Sequence, residues 1–170
     1  MTRVLVPLAF LSLLATGAIF GFFYAWVCST MWGLDTADPR VAIAAMQAMN
    51  ASVRNGVFAL GFFGTPVLLG GTACLAFFAG RRLGALSFAL AALIYLAGGL
   101  ILTTTFNVAL NVELAQAAVP ETLEQARAIW QPYSDDWQYF NILRTVAAGV
   151  SLILVGSGII LIPAHPAEGA

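Results

Sequence analysis

Three short clusters carry the residues best suited to chemistry. Gln47, Asn50 and Arg54 are spaced three and four apart, Asn107 and Asn111 four apart, and Trp137, Asn141 and Arg144 four and three apart. Each spacing puts its set on one face of a helix. Buried polar groups in an apolar setting need partners, so faces of this kind turn toward one another rather than toward lipid. Two outcomes follow from the residue types. Asn50, Arg54, Asn107, Asn111, Asn141 and Arg144 together line a ligand-binding or catalytic pocket, or the asparagines cross-link helices while the arginines anchor helix ends. Trp130 and Tyr133 precede the last cluster at compatible positions, although Pro132 falls between them and Trp137.

Metal chemistry has little to work with. The only histidine, His165, follows Pro163 in the tail, whereas His-ligated haem, zinc and Glu-x-x-His di-iron sites need histidines inside the fold. Neither a metal nor a cofactor is expected. Cys28 and Cys74 fall on different hydrophobic runs at opposite ends of the expected bundle, so no disulfide is predicted.

The elements that must position these residues are membrane helices. The 170-residue chain is 61% hydrophobic and 9% charged, with a mean hydropathy of +0.90, outside the range of soluble domains. Hydrocarbon about 30 Å thick takes about 20 apolar residues per helix. Residues 4–30, 57–79, 83–105 and 142–162 satisfy this, predicting an all-α bundle of four transmembrane helices in one membrane domain. An opening signal peptide is the competing reading of the first run. The run continues through Phe20, Phe22, Phe23 and Trp26 without a polar exit, so a retained helix is expected. Gly17 and Gly21 form a small-xxx-small pattern suited to close helix approach.

Gly80, Arg81 and Arg82 make a tight turn between the second and third spans, while the other two connections carry short helical segments. Asp38 before Pro39 is an N-cap followed by proline at the first helical position. It starts an amphipathic helix over 39–54, which could continue into the second span. Residues 83–119 hold no breaker except glycine, so the third helix should protrude beyond the hydrocarbon. Pro120 opens a helix over 121–131, Pro132 ends it, and Ser134 is placed to cap the fourth span. Pro66 should kink the second span and leave one carbonyl without its partner.

Arg3, Arg81 and Arg82 flank the ends that the positive-inside rule makes cytoplasmic, which puts both termini inside and the long connections outside a plasma membrane. Counting about 20 residues outward from the cytoplasmic ends reaches Ala59, Leu102 and Leu143, just below Arg54, Asn107 and Arg144. Three helices thus bring polar residues to one level. With no lysine and seven arginines against eight acids, no nucleic-acid partner is expected. Membrane lipids and a small aromatic or lipophilic ligand are. Trp26, Trp32, Arg40 and Arg127 read as interface anchors or solvated groups, Met46, Met49 and Cys28 as packing residues. Thr103, Thr104 and Thr105 read as hydroxyls bonded to their own helix.

At the polar clusters the sequence resembles the anthrone oxygenase-like family of small four-helix membrane proteins. The likeness rests on Ala45-Met46-Gln47-Ala48-Met49-Asn50 with Arg54-Asn55, on Phe106-Asn107-Val108-Ala109-Leu110-Asn111, and on Trp130, Tyr133, Trp137, Asn141 and Arg144 at their spacing. The third stretch is the most specific. Ala109 departs from the pattern, where proline is expected in the family. The resemblance implies a cofactor-independent oxygenase that converts an anthrone to an anthraquinone, and the chain's lack of a histidine cluster, a dinucleotide-binding glycine motif or an internal carboxylate pair is consistent with it. It further implies that Arg54 and Arg144 stabilise an oxyanion and that Asn50, Asn107, Asn111 and Asn141 orient it. Trp130, Tyr133 and Trp137 would form a flat apolar wall. No general base is evident beyond Glu113 or the Asp135 and Asp136 pair. Two other functions use the same residues: a lipophile- or quinone-binding module without catalysis, and a structural subunit whose polar cluster locks the bundle. Ion-coupled transport is disfavoured, because no ionisable residue lies near the middle of any span.

Overall fold

The computed structural model describes residues 2–162; His165 lies outside them. Every element among these residues is helical. Four helices, Arg3–Thr36, Gly56–Phe78, Arg82–Gln116 and Leu123–Ile160, are long and apolar enough to cross a membrane, as in an integral membrane protein. In the first, α1 (Thr2–Ala25) passes through a π-helical turn (Trp26–Thr30) into α2 (Met31–Thr36). Then come α3 (Pro39–Ser52) and α4 (Gly56–Phe78). The third long helix is α5 (Arg82–Ile94), two π turns (Tyr95–Ile101 and Thr103–Asn107) and α6 (Val108–Gln116), and α7 (Leu123–Ile160) is the fourth.

The turn between α4 and α5 has the expected form. Gly80 has φ of +76°, the left-handed conformation glycine adopts without steric cost. The Arg81 N–H reaches back to the Ala76 carbonyl and the Gly80 N–H to that of Phe77, closing a Schellman motif. At the other end of the bundle, called here the connection end, Asp38 caps α3 and accepts from the Arg40 backbone N–H. The Arg40 guanidinium bonded to the same carboxylate holds the Asp38 pKa below the usual carboxylate value.

Three boundaries differ from the sequence expectation, each for a local reason. The amphipathic helix does not run into the second span: it stops at Ser52, because Asn55 donates to the Ser52 carbonyl and accepts from the Phe58 N–H, starting α4 afresh. The third long helix ends at Gln116, where the Gln47 amide donates to the carbonyls of Leu114 (2.8 Å) and Ala117 (2.9 Å) and takes over the terminal acceptors. Pro132 does not end a helix, and Ser134 caps nothing. Thr122 caps one continuous 38-residue helix through Pro132. Trp130, Ser134 and Gln138, four apart along α7, all donate to the Asp35 carboxylate, at 3.0, 2.6 and 2.9 Å. That clamp spans the proline and offsets the backbone hydrogen bond it removes.

Two apolar cores result. The first fills the bundle with Leu5, Phe23, Phe62, Leu69, Phe88, Tyr95 and Val155. The second, at the connection end, packs Met31, Ile43, Met46, Leu114, Trp130, Tyr133 and Trp137. Close helix approach falls elsewhere than Gly17 and Gly21. A Cβ at Gly98 would collide with the Ala147 methyl and one at Gly158 with the Phe88 ring, whereas one at Gly21 would touch nothing. Pro66 lies within α4, and the Phe62 carbonyl four residues earlier, whose helical donor the proline removes, accepts from the Tyr95 hydroxyl at 3.0 Å.

Candidate functional site

Between the two cores lies a cavity of about 500 Å³. Its walls are apolar and aromatic: Phe22 and Trp26 from the first long helix, Phe58, Phe62 and Phe63 from α4, and Trp137 from α7. Phe22 packs on Phe58 at 5.0 Å between ring centroids, and Trp26 on Trp137 at 5.1 Å. Four of the polar residues singled out in the sequence line it, namely Asn50, Arg54, Asn111 and Arg144, and no carboxylate does.

Arg144 is the centre of the site. It projects from α7 only 5% exposed, a cation taken almost wholly out of solvent. Its Nε donates to the Asn141 Oδ1 at 2.9 Å and its Nη1 to the Thr103 hydroxyl at 3.3 Å. The guanidinium carbon sits 4.4 Å from the centroid of the Phe23 ring and 4.9 Å from that of Trp137, so two π faces meet part of its charge. The one ion pair among the described residues joins Arg40 to Asp38. Arg144 therefore has neutral partners only, an expensive state for a buried charge unless an anion completes it.

The other predicted residues divide into lining and support. Asn111 accepts from the Tyr133 hydroxyl (2.8 Å) and from the Trp137 indole N–H (2.9 Å), and Asn50 donates to the Tyr133 hydroxyl at 3.4 Å. Tyr133 thus bridges two lining amides while standing outside the cavity wall. Asn141 is 1% exposed and does not line the cavity; it donates to the Phe23 carbonyl while accepting from Arg144, fixing the guanidinium relative to α1. Asn107, fully buried, donates to the Trp137 carbonyl, and its Oδ1 has no partner among the described residues. Trp130 is farther off, bonded to Asp35. Arg54 lies exposed in the break between α3 and α4, at the cavity rim. Glu113 and Asp136 line a separate hollow of about 340 Å³ behind Tyr133, and Asp135 is exposed.

Three contributions escaped the sequence reading. Thr103 does bond its own helix, donating to the Gly99 carbonyl, but it also accepts from Arg144. Trp26, expected as an anchor, is a cavity wall. Asp35 is the hub that holds α2 against α7. The pairs Phe22/Trp26 and Phe58/Phe62, each four apart at the depth of the arginines, were the available signal for the aromatic walls.

Four helices fit to cross a membrane, with an aromatic-walled cavity headed by polar side chains at one end, define the class as a helical integral membrane protein. Residues 56–154, more than half of the chain, match the anthrone oxygenase family, and the chain belongs to that family. Comparison with curated proteins and with solved structures gives no match.

Proposed function

We propose that this chain is an oxygenase that needs no cofactor and oxidises an anthrone-like, activated phenolic substrate in the cavity around Arg144. The observation that carries this reading is a buried guanidinium without a carboxylate partner, facing an aromatic-walled space large enough for a three-ring ligand. An anthrone loses a proton from its central methylene carbon to give an enolate whose charge rests largely on oxygen. Arg144 stabilises that oxygen, Asn50 and Asn111 orient it, and Trp137 with Trp26 and Phe58 holds the ring system flat. Arg54 at the rim meets the polar edge of the incoming substrate, while Asn141 and Asn107 act by positioning Arg144 and Trp137.

The balance needs only dioxygen. The enolate passes an electron to O₂, the two radicals join at the central carbon, and protonation gives a hydroperoxide. Loss of water then leaves the quinone, so anthrone and O₂ yield anthraquinone and H₂O. With no carboxylate on the cavity wall, the methylene proton leaves to water at the rim, and the cation favours the ionised substrate. We place the connection end on the outer face of a plasma membrane, with both termini in the cytoplasm, on the arginines at the opposite ends.

The test is oxygen uptake by purified protein in lipid nanodiscs supplied with anthrone. One O₂ consumed per anthraquinone formed, above the rate of empty nanodiscs and lost in Arg144→Ala, is the expected result. Uptake no faster than the empty discs, with anthrone still binding and raising the melting temperature, would leave a binding module instead.

A further inference from the structure

The cavity has an opening whose position follows from how the helices diverge. α4 packs along α5 and approaches the first π turn (Tyr95–Ile101), but its backbone comes close to neither the second π turn nor α6. Beyond Ile101 the two long helices part, and the cavity lies behind the gap. Ala59 and Phe63 edge it on the α4 side, Thr104 and Val108 on the other; Phe63, Thr104 and Val108 are exposed as well as lining. The surfaces flanking the gap are apolar: Val57 and Leu60 on α4 and Ile101 on the third long helix, all exposed. On helices that cross a membrane, such surfaces face hydrocarbon.

We propose that substrate enters and leaves this cavity sideways, from the lipid leaflet at the connection end, through the gap between Phe63 and Val108. The inference rests on the oxygenase reading of the same cavity and deepens it, since the substrate must then be one that partitions into the bilayer in its neutral form. It ionises only on meeting Arg144. A lateral mouth also explains why Arg54 stands at the rim rather than deep in the cavity. There it contacts the polar edge of a ligand whose apolar body arrives through the gap.

The experiment uses the full chain in nanodiscs, with anthrone as the probe and quenching of the cavity tryptophans Trp26 and Trp137 as the stopped-flow signal. Leu60→Trp narrows the gap and Leu60→Ala widens it, at an exposed position that flanks the gap without lining the cavity. Association and dissociation rates should both fall about tenfold in the first and rise in the second, with Kd nearly unchanged. In the wild type, the association rate should follow the mole fraction of anthrone in the lipid when lipid is varied at fixed total anthrone. Rates that follow aqueous anthrone instead, or variants that leave both rates unchanged or alter only one of them, would overturn the portal while leaving the cavity as a binding site. A wild-type protein that binds no anthrone would remove the oxygenase reading and the portal with it.

Discussion

The bundle core and the connection end handle their polar groups in opposite ways. Inside the bundle, hydroxyls mostly spend their hydrogen bonds on their own helix: Thr16 on Ser12, Thr65 on Gly61 and Thr72 on Leu68. The cross-links are few and neutral, such as Ser12 with Thr72, Ser87 with Leu154 and Ser151 with Ala91. At the connection end the bonds run between helices, through Asp35, Asn50, Asn111 and Asn141, and the buried Arg144 has no carboxylate partner. A region built only for stability has no reason to bury a cation among neutral groups. Under the proposed function, the bundle core holds the molecule together and the connection end binds.

The largest effect expected from this contrast is at Arg144. Alanine there should lower kcat for anthrone oxidation about 10²- to 10³-fold, the scale for removing a group that stabilises developing oxyanion charge. Melting temperature should hold or rise, because an unpaired buried charge is removed. Arg54→Ala should act mainly on KM, since the exposed rim guanidinium meets the substrate before the reaction begins. Equal loss of kcat in both variants would erase the distinction between a deep and a rim cation. A large loss of stability in Arg144→Ala would make that arginine a structural group.

Asp35 tests whether the connection end is a preformed frame. Its carboxylate gathers three donors from α7, yet the residue is exposed, so water competes for every bond. Asp35→Ala should cost about 2 kcal/mol, near the middle of the range for hydrogen bonds to a charged group. Amide exchange should quicken in α2 and around Pro132 while the bundle stays protected. Asp135→Ala, a nearby exposed acid, is the control. If exchange instead quickens evenly throughout, the two cores form a single cooperative unit.

What the sequence made legible follows from the same contrast. Four spans, the Gly80 turn and the Asp38 cap could be read because each depends on a local run or a single residue pair. The level at which Asn50, Asn111 and Arg144 meet could be read because helix rise converts residue number into depth. What could not be read was decided across helices. Asp35 is an ordinary exposed acid until Trp130, Ser134 and Gln138 are stacked opposite it, and only that clamp makes Pro132 tolerable inside α7. The division of six polar residues into four that line the cavity and two that lie behind it also escaped, because helical spacing gives a face and not the depth of burial behind it. The π turns rotate the residues beyond them, which a fixed 3.6-residue period does not anticipate.

The smallest expected effect lies in the bundle and asks whether its few cross-links matter. Pro66 removes the N–H that would have served the Phe62 carbonyl, and the fully buried Tyr95 supplies its hydroxyl instead. Tyr95→Phe keeps the ring in the core and deletes only that donor. The carbonyl is then left without a partner among apolar side chains, at a cost of about 1 to 3 kcal/mol, less if water reaches it from the cavity that Phe62 also lines. Melting temperature should fall by a few degrees while kcat for anthrone stays at the wild-type value. Restoring the amide by Pro66→Ala in the Tyr95→Phe background should recover most of the loss, because the helix then satisfies Phe62 itself. Absence of that rescue would mean that Tyr95 stabilises the bundle by something other than the carbonyl Pro66 sets free. A drop in kcat with unchanged stability would tie this bond to the cavity and undo the separation between a bundle that holds and an end that binds.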